Sequence, residues 1–196
     1  MNSLIFGVLV VLYYFIHSLL ANDNIKSRLY KVIPSHYYRL LYTIISVIGL
    51  LYLLKYYNGL DQNMIFENTP FIYYSGLAIF ISGVLLINVS LLSFDLFEFI
   101  GFKQITKRSP KLEDKMNTTG LYRLVRHPLY LGFILLFSGL FLFRPDVNIL
   151  IVSSVSIAYT FIGGYLEEKR LAVQFGSAYK EYQKTTPFIF PISKKA

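Results

Sequence analysis

Residues 118–170 read TTGLYRLVRHPLYLGFILLFSGLFLFRPDVNILIVSSVSIAYTFIGGYLEEKR. Two apolar runs, 129–143 and 147–166, are separated only by Arg144, Pro145 and Asp146, a tight turn. They predict a helical hairpin. About 20 apolar residues at 1.5 Å rise cross about 30 Å of hydrocarbon, so the hairpin belongs in a bilayer, with its first helix short for a crossing. Its open ends are polar. Arg123, Arg126, His127 and Pro128 precede the first helix, and Glu167 and Glu168 follow the second. A hairpin brings its ends together, so these groups are expected to be neighbours in space although about 40 residues apart in the chain.

Outward from the hairpin, further apolar runs occupy 4–20, 40–57 and 71–94. The 196 residues are 55% hydrophobic and only 15% charged, whereas soluble domains carry about 25% charged residues. The first run has no Lys or Arg before it, so it reads as a retained span and not as a signal peptide. Gly76 and Gly83, and again Gly132 and Gly139, are seven residues apart and put small residues on one helix face, with the second pair a contact face for the hairpin. No repeat or linker divides the chain, which is read as one membrane domain, 1–196.

Sidedness follows from the basic residues. Segments 21–39, 95–128 and 167–196 carry 4, 7 and 6 of the 19 Lys and Arg, which leaves only Lys55 and Arg144 elsewhere. The positive-inside rule then gives five spans, the N-terminus outside and the C-terminus in the cytoplasm, as expected of a bacterial inner-membrane protein. The net charge of +8 does not gather on one soluble face, so nucleic acid is excluded as a partner and membrane lipid preferred. Segment 165–191, with Leu166, Leu171, Val173, Phe175, Tyr179 and Tyr182 in an imperfect amphipathic pattern, is expected on the cytosolic membrane surface. The fold class is thus all-α: a polytopic membrane protein with five transmembrane helices and an amphipathic C-terminal segment.

There is no cysteine, and His17, His36 and His127 have no ligand spacing on a common helix, so neither thiolate chemistry nor a metal is expected. The hairpin mouth offers cations, an imidazole, carboxylates and the phenols of Tyr122 and Tyr130 against an apolar wall. A zwitterionic ligand with an extra cationic centre, such as S-adenosylmethionine, matches that set. Asp95 and Glu98 lie three apart among aromatics, one face of a helix if helical, and His17 ends the first run.

RHPLYLGF at 126–133, followed by EEKRLAVQFGSAYKEYQKTTPFIFP at 167–191, resembles the C-terminal signature of the integral-membrane methyltransferases, the group of isoprenylcysteine carboxyl methyltransferase and phospholipid N-methyltransferases. HSLLANDNIK at 17–26 and FDLFEFIGFKQ at 94–104 resemble the bacterial methanethiol S-methyltransferase branch, with Phe94 where that branch has a histidine and Glu98 where it has a glycine. NnrU-type membrane proteins share parts of both patterns. The resemblance implies S-adenosylmethionine as methyl donor, with residues 118–191 as its binding part. Tyr122, Arg126, His127, Pro128, Tyr130, Gly132, Glu167 and Glu168 would line the pocket. Arg126 would pair with the methionine carboxylate, and one glutamate would bind the ammonium or the ribose hydroxyls. Arg126, His127 and Glu167 would serve catalysis, and His17, Asp95 and Glu98 the acceptor. The expected activity is methylation of a small thiol such as methanethiol to dimethyl sulfide. Two alternatives stand beside it: carboxyl or amine methylation of an isoprenylated or lipid acceptor, and a non-enzymatic transporter or assembly factor that keeps the fold.

Overall fold

The computed structural model describes residues 2–92 and 116–192; Asp95 and Glu98 lie outside the described residues. The chain divides into two compact units, one containing residues 2–63, the other residues 64–92 and 116–192. Helices are numbered along the described residues.

The first unit holds α1 (Asn2–Ala21), α2 (Asp23–Leu29) and α3 (Ser35–Asn58). Asn22 separates α1 from α2, and its side chain accepts from the backbone N–H of Asn24 and Ile25 at 3.0 and 3.4 Å, which starts α2. Pro34 stands just before α3, so this helix begins at Ser35, ahead of the apolar run expected from 40. α1 and α3 run antiparallel. Phe6 near the start of α1 stacks on Tyr56 near the end of α3, with centroids 6.2 Å apart, while the Tyr38 hydroxyl donates to the Leu20 carbonyl at 2.7 Å.

The second unit holds α4 (Pro70–Leu91), a 3-10 turn at Gly120–Arg123, α5 (Pro128–Phe143), α6 (Val147–Phe175) and α7 (Ser177–Thr185). Proline opens both α4 and α5, where its missing N–H costs nothing. The glycines decide how α4 and α5 meet. A Cβ at Gly139 would come within 2.7 Å of the Phe80 Cα, and one at Gly83 within 2.8 Å of the Gly132 carbonyl oxygen. Backbone therefore touches backbone. Here a sequence expectation is corrected: Gly132 and Gly139 pack against Gly83 and Gly76 of α4, not against the other arm of the hairpin. At the far end, Asn68 donates to the Phe143 carbonyl at 2.8 Å, and the fully buried Asp146 caps α6 through the N–H groups of Asn148 and Ile149.

α6 is longer than its apolar run. Twenty-nine residues rise about 44 Å, of which residues 147–166 suffice for the hydrocarbon, so Glu167 and Glu168 ride on helix that continues past the crossing. The segment expected on the membrane surface from 165 begins within α6 and breaks at Gly176, whose φ of +57° favours glycine. The chain then reverses into α7. Among the described residues four helices, α1, α3, α4 and α6, are long and apolar enough to span a membrane; α5, with 16 residues, is shorter.

Enlarging Gly139 should separate α4 from α5. Gly139→Val is expected to lower the thermal midpoint of the purified protein by overpacking worth about 1–3 kcal/mol. Gly163→Ala, where the nearest atom to a new Cβ is 3.9 Å away, should leave it unchanged or raise it.

Candidate functional site

The site lies where α5 begins and the apolar part of α6 ends. His127 precedes a proline and is therefore held extended (φ −126°, ψ 68°), which stops the 3-10 turn from running on into α5. Its backbone N–H and that of Arg126 are free of the helix. They donate to the carbonyls of Phe188 and Pro187 at 3.1 and 2.9 Å, so the chain after α7 is strapped along the Arg-His-Pro turn. The Tyr182 hydroxyl, from α7, donates to the Tyr122 carbonyl and closes the same strap.

Glu168 is the centre of the polar network. Arg126 approaches it with two parallel bonds, Nε to Oε1 at 2.9 Å and Nη2 to Oε2 at 2.8 Å, the bidentate geometry in which guanidinium and carboxylate bind most strongly. His127 Nε2 lies 2.7 Å from Oε1, the Tyr179 hydroxyl donates to Oε1 at 2.6 Å, and Gln183 Nε2 to Oε2 at 2.6 Å. Five nitrogen and oxygen atoms from four residues fill an acceptor that offers about four lone-pair sites. Burial alone would push the Glu168 carboxyl up, but bonds from Arg126, Tyr179, Gln183 and His127 outweigh it and hold the group at about 2. The remaining Arg126 nitrogen, Nη1, donates to the carbonyls of Thr186 and Gln183. Four of its five N–H groups are thus committed inside the protein, and the donor expected to meet an incoming carboxylate is the one that anchors Glu168.

Glu167 is differently placed. Its side chain is 43% exposed against 12% for Glu168. Its carboxylate lies 3.5 Å from His127 Nδ1 and accepts a bond from Tyr130. Burial raises this carboxyl less than the bonds from His127 and Tyr130 lower it, so it too is ionised. His127 stands between the two glutamates, its ring stacked on Tyr130 (5.2 Å, 11°) and edge-on to Phe188 (5.1 Å, 77°). Gly164 makes room for both rings: a Cβ there would lie 2.9 Å from Phe188 and 3.1 Å from Tyr130. Burial raises the Tyr122 and Tyr182 phenols to about 12, with Glu167 adding to the effect at Tyr122. They remain donors.

Tyr122, Arg126, His127, Pro128, Tyr130, Glu167 and Glu168 therefore gather in one place. Gly132 is occupied by Ile87 and Gly83 of α4. His17 is in the first unit, hydrogen-bonded to Ser46 and Tyr42. Residues not read as site residues from the sequence, Tyr179, Gln183 and Phe188, complete the network; the signal for them was Gly176, the break that returns α7 toward Glu168. With Arg126 and Glu168 cancelling, the accessible charges among the described residues include the Glu167 carboxylate, Arg170 beside it, and the exposed Arg123 at the end of the neighbouring 3-10 turn.

The fold and this site define a class: a helical integral membrane protein with an ion-paired polar site where its apolar helices end. The chain belongs to the NnrU protein family, whose pattern it matches over residues 4–192. It is 30% identical to a protein named methanethiol S-methyltransferase from Pseudomonas sp. strain GM41, over 96% of this chain and 73% of that one. Proteins of the same name from Pseudomonas deceptionensis and Crocosphaera subtropica are each 28% identical, over 94% and 92% of this chain and 71% of theirs. No solved structure matches the chain.

Acid should loosen the site in a defined window. Because the folded Glu168 carboxyl sits at about 2 against an ordinary 4.5, its stabilisation is complete above about pH 4.5 and is lost as pH falls toward 2. Between pH 7 and pH 3 the thermal midpoint of the native protein should fall further than that of Glu168→Gln. At pH 7 that variant, with Arg126 left buried without its carboxylate, should be destabilised by about 3–5 kcal/mol.

Proposed function

We propose that the protein is a methyltransferase that uses S-adenosylmethionine to methylate a small thiol, methanethiol, to dimethyl sulfide. The observation that carries this reading is the pairing of a saturated glutamate with an accessible one, on a chain related throughout its length to proteins named for that reaction. It fits a donor bearing an ammonium, a sulfonium, a carboxylate and ribose hydroxyls. Glu167 is an accessible acceptor for the ammonium or the hydroxyls, and Arg123 the exposed cation for the carboxylate. Tyr122, His127, Pro128 and Tyr130 form the wall; Arg126 and Glu168 hold that wall in register, and Gly132 lets α5 approach α4. When bound, the donor supplies an electrophilic methyl group on sulfur.

The chain's own contribution is alignment and exclusion of water, because an in-line displacement with dispersing charge gains most from a fixed near-attack geometry. The acceptor reacts as thiolate; Asp95 and Glu98, the carboxylates read at the acceptor end, are the groups that would take its proton, while His127, between Glu168 and Glu167, fixes the wall. The acceptor is bound through His17, Asp95 and Glu98. We further read the chain as one membrane domain with five spans, α5 being the fifth, in the bacterial inner membrane with its N-terminus outside and C-terminus in the cytoplasm. In that topology the site and the C-terminal segment face the cytosolic pool of the donor.

Cells producing the protein and given methanethiol should release dimethyl sulfide into the headspace above the level of a host without it. Equal release would overturn the thiol assignment. Glu167→Ala removes one charge-assisted hydrogen bond, worth about 1.5–3 kcal/mol, so activity should fall about 10- to 100-fold with the thermal midpoint little changed. Purified protein should also be stabilised by S-adenosylhomocysteine.

A further inference from the structure

The first unit contains a cavity of about 250 Å³ between α1 and α3. It exists because the two helices present matched faces: Leu12, Tyr13, Ile16 and His17 from α1, and Ile45, Ser46, Gly49 and Tyr52 from α3, each set at helical spacing. Gly49 is needed where the Tyr13 ring crosses, since a Cβ there would lie 2.9 Å from it. The walls are apolar, and two tyrosine rings face the space. The described residues that line it include no Lys, Arg, Asp or Glu.

One end is polar, and its groups are already hydrogen-bonded to one another. Ser46 Oγ donates to the Tyr42 carbonyl at 2.9 Å, His17 Nδ1 lies 2.9 Å from Ser46 Oγ, and the Tyr42 hydroxyl lies 2.6 Å from His17 Nε2. One assignment satisfies all three: Tyr42 donates to Nε2, Nδ1–H donates to Ser46, and Ser46 donates to the backbone. An alcohol or amine would surrender water there for described partners that are already engaged. A thiol asks for less. Its S–H is a weak donor, its sulfur a weak acceptor, and polarisable sulfur is favoured beside aromatic rings such as Tyr13 and Tyr52. At roughly 30 Å³ per heavy atom the space takes about eight such atoms, far more than methanethiol needs.

We propose that this cavity is a binding site for apolar thiols of about eight heavy atoms, alkyl or aryl, with the sulfur at the His17–Ser46 end. The choice of sulfur rests on the proposed thiol methylation; the site's existence and size do not. Because Leu12 and Ile45 are 46% and 39% exposed, the cavity opens sideways between the helices, where a thiol dissolved in the bilayer would enter.

The test uses 4-fluorobenzenethiol and fluorine NMR on the full chain in lipid nanodiscs, without methyl donor. A saturable component of about one equivalent per chain is expected beyond that of empty nanodiscs. Leu12→Phe and Ile45→Phe, which fill the cavity from its lipid-facing wall, should each weaken it at least tenfold. His17→Phe should abolish the preference for 4-fluorobenzenethiol over 4-fluorotoluene, which has the same shape without the S–H. No saturable component, or one that both filling variants leave unchanged, overturns the site. Equal binding of 4-fluorotoluene by the native protein overturns the thiol and leaves a pocket for any apolar chain. Since no methyl donor is present, these outcomes are independent of whether dimethyl sulfide is formed.

Discussion

The bidentate pair between Arg126 and Glu168 is the contact on which the second unit's polar architecture depends. A guanidinium and a carboxylate taken out of water are costly unless each remaining donor and lone pair is also satisfied. That requirement recruits the rest of the site. Arg126 has Nη1 left over, and the carbonyls of Gln183 in α7 and of Thr186 just beyond it accept from it, so the chain at Thr186 must lie against the Arg-His-Pro turn. Glu168 has lone pairs left over, and Tyr179 and Gln183 supply them, so α7 must fold back along α6. One ion pair thus fixes the start of α5, the end of α6, the helix after the break and the strap that follows it.

The same saturation explains why two adjacent glutamates behave differently. A carboxylate bonded by four residues has nothing left to offer a ligand, and it lies 2.7 Å from His127 Nε2. Its neighbour, bonded only at the side facing His127 and Tyr130 and nearly half exposed, retains its charge and part of its coordination. Sequence adjacency therefore separates a saturated carboxylate from a more exposed one by a rotation of about 100° on one helix.

Topology made the site's location legible. Two apolar runs joined by Arg144-Pro145-Asp146 leave no choice but to bring 123–128 beside 167–168, and the helices follow the expected runs closely. The roles of individual residues were less legible, because a lone arginine beside an apolar run looks the same whether it waits for a ligand or is already bound. What decides is the fate of the chain after Gly176, a tertiary fact. The glycine pairs carry a similar ambiguity. Seven-residue spacing marks a close-contact face on α5, but the partner, α4, is set by the matching pair Gly76 and Gly83 and not by nearness in sequence. The extension of α6 to Phe175 was hidden for a simpler reason: hydropathy ends where lipid ends, and helix does not.

Continuation of α6 beyond Leu166 is also what makes the arrangement of side chains possible. Gly164 and Glu168 are four residues apart and share the face turned inward, so the face that carries the saturated carboxylate is hollowed one turn earlier to admit Phe188 and Tyr130. Gly163 and Glu167 share the adjacent face, and Tyr130 runs past the first, its hydroxyl 3.9 Å from where a Cβ would stand, to bond the second. A side chain at 164 would displace both rings and with them the aromatic support of His127. Gly164 and the glutamate pair are thus one device, set one helical turn apart: the glycine seats the rings, and the acids fasten the imidazole that the rings enclose.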